Sequence, residues 1–390
     1  MNLCSPLVPF ALSVLAYISF IWLARFLPDK GRASRFNTID GMRGYLAIFV
    51  FIHHASIWNK YVRTGIWESP DTNFFNHLGT GSVVLFFMIS SFLFFGKISR
   101  SVDINWFGLA ISRFLRMTPL YVVAMLFLFL FVSCFSGFRA LEDWGTILPE
   151  AMHWMMFSVF GSPNINAIQH TGFIIAGVVW SLPYEWAWYG VLPLFALLIH
   201  RKISMLPALV GLASAGYALI HLNVVLLLPF GGGIVAYWLS KSQKWNELSK
   251  GKLGSPVAVL TILLAVLMFK TANNPISVVL YAISFSMIVS GADLFGILSN
   301  KVSIALGEIS YDIYLFHGFV LCILVGLILR GSSAVSDFNV YWLCVASIIP
   351  VLLVICLLLH LLVEYPAMHS KDTLLSMLNN LSKKISRKEG

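Results

Sequence analysis

Residues 340–363 read VYWLCVASIIPVLLVICLLLHLLV, a run without one aspartate, glutamate, lysine or arginine. An α-helix needs roughly 20 such apolar residues to cross the hydrocarbon core of a bilayer. Comparable segments lie near 6–27, 39–58, 80–96, 117–136, 180–199, 204–221, 223–240, 255–270, 275–297 and 302–329. The composition agrees with that reading. Of the 390 residues 58% are hydrophobic and only 11% are charged, against roughly 25% charged in a soluble domain. Water-soluble, disordered, collagen-like, coiled-coil and disulfide-scaffold classes are excluded. The expected fold is an all-α polytopic membrane helix bundle of about 11 transmembrane helices.

The net charge of +9 follows from topology and does not call for nucleic acid. Placing the N-terminus outside and the C-terminus in the cytoplasm gathers 21 of the 26 Lys and Arg residues on the inner side, as the positive-inside rule requires. Only Lys60, Arg63, Arg139, Lys270 and Arg330 stay outside. The segment Pro6–Leu27 lacks a basic n-region and a small-residue cleavage site, so it reads as a first span and not a signal peptide. Asp103–Met117, with apolar and basic residues at helical spacing, reads as an interfacial helix. Residues 138–179 form the longest outer stretch and are expected to fold over the extracytoplasmic mouth. The five cysteines, Cys4, Cys134, Cys322, Cys344 and Cys356, are odd in number and contain no CxxC pair. They read as small apolar residues, with no metal site among them.

Ionisable side chains at membrane depth are functional candidates by default. Arg43 and His54 are eleven residues apart on one segment, so on a helix they fall within about 20° of each other, roughly 16 Å apart along the axis. A guanidinium near the inner edge and an imidazole deeper in the bilayer would share one stripe. His54 reads either as a hydrogen-bonded bundle histidine or as a catalytic base, and the coaxial Arg43 favours the second. Asp40 lies about 40° from the stripe, and His53 points away from it. Arg113 and Arg116, one turn apart, suit phosphate or anchor lipid headgroups. Glu185, within Trp180-Ser181-Leu182-Pro183-Tyr184-Glu185, is either a helix-terminal acid or a partner for histidine or substrate. Glu308 and Asp312 are expected to pair with Arg43 or Arg116 and hold the bundle together. Tyr311 and His317 share their segment, and Glu364 closes the last one.

A basic inner entrance, a buried histidine and an aromatic outer cover suit transfer from a phosphate-bearing donor to a hydroxyl acceptor, with histidine as general base. Six motifs in order then resemble the acyltransferase 3 family of integral membrane O-acyltransferases. They are Ile39-Asp40-Gly41-Met42-Arg43-Gly44 continuing to His54, Phe86-Phe87-Met88-Ile89-Ser90-Ser91, Arg113-Phe114-Leu115-Arg116, Trp180-Ser181-Leu182-Pro183-Tyr184-Glu185, Ser310-Tyr311-Asp312-Ile313-Tyr314-Leu315-Phe316-His317, and Glu364-Tyr365-Pro366. The resemblance implies a family domain over 38–369, preceded by an extra helix and basic loop (1–37) and followed by a basic cytoplasmic tail (370–390). It implies His54 as base with Arg43 as a donor-site or structural partner, Arg113 and Arg116 at the phosphates of acetyl-CoA, and Glu185, Trp180 and Tyr184 on the acceptor side. It further implies a bacterial inner-membrane enzyme that moves acetyl from acetyl-CoA to a surface glycan or lipid-linked saccharide. No permanent cofactor, metal or nucleic acid is expected, and membrane lipids surround it. A transporter or flippase of a lipid-linked sugar is the alternative, as is another acyl donor such as succinyl, or a small-molecule acceptor. The sequence departs from the family pattern at Ser91, where glycine is usual, and at Trp186, where a second acid is frequent.

Overall fold

The computed structural model describes residues 5–28, 36–371 and 373–377. Cys4, the loop residues Lys30, Arg32 and Arg35, and the tail's Lys383, Lys384, Arg387 and Lys388 lie outside the described residues. The main helices are α1 (Leu7–Leu23), α2 (Asn37–Thr64), α3 (Asn73–Ile98), α4 (Trp106–Phe135), α5 (Trp144–Met155), α6 (Leu182–His200) and α7 (Met205–His221). They continue with α8 (Leu228–Leu239), α9 (Gly254–Met268), α10 (Pro275–Val289), α11 (Lys301–Glu308), α12 (Ser310–Leu321) and α13 (Phe338–Leu359). An isolated bridge between Ile165 and Ile168 is the only β pairing among the described residues.

Each apolar segment of the sequence holds helix, and six helical segments are long and apolar enough to cross a membrane, or up to seven if one bent pair counts as a span. The chain is therefore an integral membrane protein. The others fall short for physical reasons. Helices α7, α9 and α10 have 17, 15 and 15 residues. The 28-residue α2 is long enough, but Asp40, Arg43, His53, His54, Asn59 and Lys60 dilute its apolarity. Asp103–Met117 is not a separate interfacial helix. From Trp106 it is the first part of the continuous 30-residue α4, which tolerates Pro119 in its interior.

Local signals set several helix ends. Asn105 Oδ1 accepts the Gly108 N–H at 2.7 Å at the start of α4, and Asp337 Oδ1 accepts that of Val340 at 2.9 Å at the start of α13. Both satisfy backbone donors that a helix N-terminus leaves free. At the end of α2, Gly65 adopts a left-handed φ of 74°, a conformation glycine reaches without a Cβ clash.

Close backbone approach fixes α2 at the centre. A Cβ built on Gly307 of α11 would lie 1.8 Å from the Asp40 carbonyl oxygen, and one on Gly44 would lie 2.9 Å from the Gly307 nitrogen. Small residues substitute here for the hydrophobic drive that lipid removes. Gly307→Ala should therefore cost about 1–3 kcal/mol through overpacking, seen as a lower unfolding midpoint in detergent. Gly216→Ala, where a Cβ meets nothing within 4 Å, should leave the midpoint unchanged or slightly raised. The Ser91 departure is absorbed in the same way. Its buried hydroxyl bonds the Met88 carbonyl at 3.0 Å, and the facing residue is Gly233 of α8, where a Cβ would come 1.9 Å from Ser91 Oγ.

The stretch 138–179 contains α5 and short turns packed on the bundle. Tyr121 of α4 donates a hydrogen bond to the Trp154 carbonyl. A Cβ on Gly318 of α12 would sit 2.2 Å from the Ile175 carbonyl carbon. Backbone-to-backbone contact thus seats this stretch directly beside His317.

Candidate active site

Helices α2, α3, α4, α6 and α12 enclose a cavity of about 440 Å³. Its lining is polarised along its length. At one end stand Arg43 of α2, Lys97 of α3, and Arg113 and Arg116 of α4. The middle holds Ser90, Glu185 and Tyr189, and the rest of the wall includes Val83, Phe86, Ser181, Tyr311 and Tyr314. The two arginines read from the sequence as phosphate ligands or headgroup anchors face inward. The Arg113 guanidinium carbon lies 4.7 Å from the centroid of the Phe94 ring, a cation–π contact that holds it at the wall.

Glu185 is fixed by two donors. Ser90 Oγ donates to its Oε1 at 2.8 Å, and the Tyr189 hydroxyl donates to the same oxygen. Opposite, the Tyr314 hydroxyl meets Ser181 Oγ at 2.7 Å and the Val178 carbonyl at 2.9 Å. The Tyr311 hydroxyl donates to the Met117 carbonyl at 3.1 Å. Tyr184 does not line the cavity. Its hydroxyl accepts the Asn223 N–H at 3.0 Å, while Trp180 is 40% exposed. Trp186 packs its ring 5.1 Å from that of Phe157. Asp40 sits half-buried in the first turn of α2, and Glu308 ends α11.

Arg43 lines the cavity, whereas His54 does not. The ring of the neighbouring His53 packs closely on Gly79 of α3. His54 reaches the cavity wall through its ring neighbours. Its ring centroid is 5.1 Å from that of His317, which is 6.3 Å from that of Tyr314. His54 is half-buried and His317 fully buried. The adjacent His53 is buried with its Nδ1 2.7 Å from the Phe75 carbonyl, a structural histidine.

Arg116 pairs with an acid other than Asp312. Arg116 Nε contacts Glu364 Oε1 at 2.9 Å, and Arg116 Nη1 lies 3.0 Å from Met368 Sδ. Asp312, fully buried, instead faces His360, whose Nδ1 is 3.7 Å from Asp312 Oδ2 and 2.9 Å from Glu364 Oε2. His360 and Glu364 bound a π-helical turn at the end of α13, a deviation that recurs at functional sites. His360 is missed by the sequence reading. Its signal was present, since His360 and Glu364 stand four residues apart in an otherwise apolar run. The ligand-capable atoms of Asp312, His360 and Glu364 lie within 4.8 Å of one another, close enough for one metal ion. Arg116 already brings a positive charge to that spot.

A family model described as an acyltransferase domain, acyltransferase 3, matches residues 36–361. The chain belongs to that family, which makes it a membrane acyltransferase. A protein of the Acidianus two-tailed virus titled "Putative acetyltransferase ORF330" is 24% identical over 326 residues, covering 77% of this chain and 88% of that one. No solved structure matches the chain.

Proposed function

We propose that this protein transfers an acetyl group from cytoplasmic acetyl-CoA to a hydroxyl of a cell-surface glycan or its lipid-linked precursor, in a bacterial inner membrane. The observation carrying this reading is the polarised cavity. Three arginines and Lys97 crowd one end, and His54 adjoins the other end through His317 and Tyr314. With the N-terminus outside, the basic end faces the cytoplasm. Arg113 and Arg116 bind the donor's phosphates there, Arg43 adds charge deeper in, and the acyl arm extends toward Tyr314.

In the transfer His54 takes the acceptor's hydroxyl proton as its oxygen attacks the thioester carbonyl. The C–O bond forms, the C–S bond breaks, and the departing thiolate takes the proton from His54. Positioning supplies much of the remaining catalysis once the reacting atoms stand about 3–3.5 Å apart. Glu185, held by Ser90 and Tyr189, offers a fixed acceptor for hydroxyl protons of the incoming sugar.

Replacing Arg113 by alanine should raise the KM for acetyl-CoA about 10-fold, the order expected when one charge-assisted hydrogen bond is lost, with a smaller effect on kcat. Purified protein, labelled acetyl-CoA and a saccharide acceptor fraction provide the assay. An unchanged donor KM would remove Arg113 from the phosphate site. Label transferred from succinyl-CoA but not acetyl-CoA would reassign the donor.

A further inference from the structure

We propose that His317 is a positioning residue that accepts the Nδ1–H of His54 through its own Nε2 and leaves Nε2 of His54 as the basic nitrogen. The proposal rests on the reading of His54 as the base and adds how that base is oriented. Three distances determine the proton positions. His317 Nδ1 lies 2.9 Å from the Ile313 carbonyl. His54 Nδ1 lies 3.0 Å from the Val50 carbonyl and 3.1 Å from His317 Nε2. A carbonyl oxygen only accepts, so both Nδ1 atoms must carry hydrogen to bond these groups. Neutral His317 then presents a lone pair at Nε2, and the shared hydrogen between the rings is the one on His54 Nδ1.

The opposite assignment fails twice. A proton on His54 Nε2 would set the Nδ1 lone pair against the Val50 carbonyl. It would also require His317 to donate from Nε2, either carrying a positive charge or turning a second lone pair onto the Ile313 carbonyl. Only one arrangement of protons satisfies all three contacts with two neutral rings. His317 is 0% exposed and seated by the backbone contact of Gly318 with Ile175, so its ring has no water to substitute for this bond.

The arrangement also acts during the reaction. When His54 takes the acceptor's proton, its Nδ1–H becomes a donor from a cation, and the bond to His317 strengthens as charge-assisted bonds do. A contact that gains strength as the charge develops lowers the barrier, which appears in kcat and not in substrate binding. His317 thus occupies the role that an orienting third group plays behind a catalytic histidine.

The test combines spectroscopy and kinetics on the full chain in nanodiscs. The protein, labelled with 15N-histidine, contains 10 histidines, and comparison with His54→Gln and His317→Leu assigns the two rings. We expect pyrrole-type Nδ1 and pyridine-type Nε2 signals for both. His317→Leu should lower kcat about tenfold, the worth of one hydrogen bond, with donor KM unchanged. His317→Gln, whose amide oxygen can accept from His54 Nδ1–H, should recover most of that loss. A proton on Nε2 of either ring in the wild-type protein overturns the proposal whatever the kinetics of the variants. So does a His317→Gln protein no more active than His317→Leu. If instead the tautomers are as expected but His54→Ala still transfers acetyl, the base assignment fails while the proton arrangement stands.

Discussion

Alanine in place of His54 should lower acetyl transfer by a factor of about 10²–10⁴, the range that a positioned general base contributes. Donor binding should persist, because the arginines and Lys97 lie at the opposite end of the cavity. The measurement is single-turnover transfer from labelled acetyl-CoA, with donor KM taken on the same preparation. Helix α2 should be little disturbed, since His54 is half-buried and the change removes only its contacts with the Val50 carbonyl and with His317. His53→Gln serves as the control. That buried ring packs against Gly79 and bonds the Phe75 carbonyl, so the substitution should lower stability with far less effect on turnover per folded molecule. Equal loss in both variants would mean that the histidine pair only packs the bundle.

Glu364→Ala should be the most destabilising single change at the arginine end of the site. It removes the carboxylate that Arg116 Nε contacts at 2.9 Å and that His360 Nδ1 contacts at the same distance. Leaving a buried charge without its partner costs about 3–5 kcal/mol, whereas replacing both partners by apolar residues is often neutral. Arg116→Met combined with Glu364→Leu should therefore recover much of the unfolding midpoint lost in Glu364→Ala. It should not recover transfer, because Arg116 also lines the cavity. Midpoints in one detergent and transfer rates on one batch separate the two roles. Recovery of both would make the pair purely structural.

The periodic features of the fold were legible in the sequence because a helix maps linear spacing onto a face. Arg43 and Arg113 needed only that mapping and a hydropathy profile, and both line the cavity. The motif order likewise carried the family resemblance. Pairings across the bundle were not legible. His54 and His317 lie 263 residues apart, and nothing in either segment specifies which ring faces which. The partner of Arg116 is hidden for the same reason. Glu308 and Asp312 looked available at helical spacing, while the π-helical turn places Glu364 against Arg116 and turns His360 toward Asp312. The basic residues of Asp103–Met117, taken by spacing alone, suggest headgroup contact. In the fold Arg113 and Arg116 point into the cavity, and α4 runs on through Pro119.

A cryo-EM map of the wild-type protein in nanodiscs with acetyl-CoA tests most directly whether the polarised cavity is the donor site. The account predicts density for the pyrophosphate between Arg113 and Arg116, with the thioester end directed past Tyr314 toward His54. A donor seated elsewhere, or a thioester directed away from that imidazole, would contradict it.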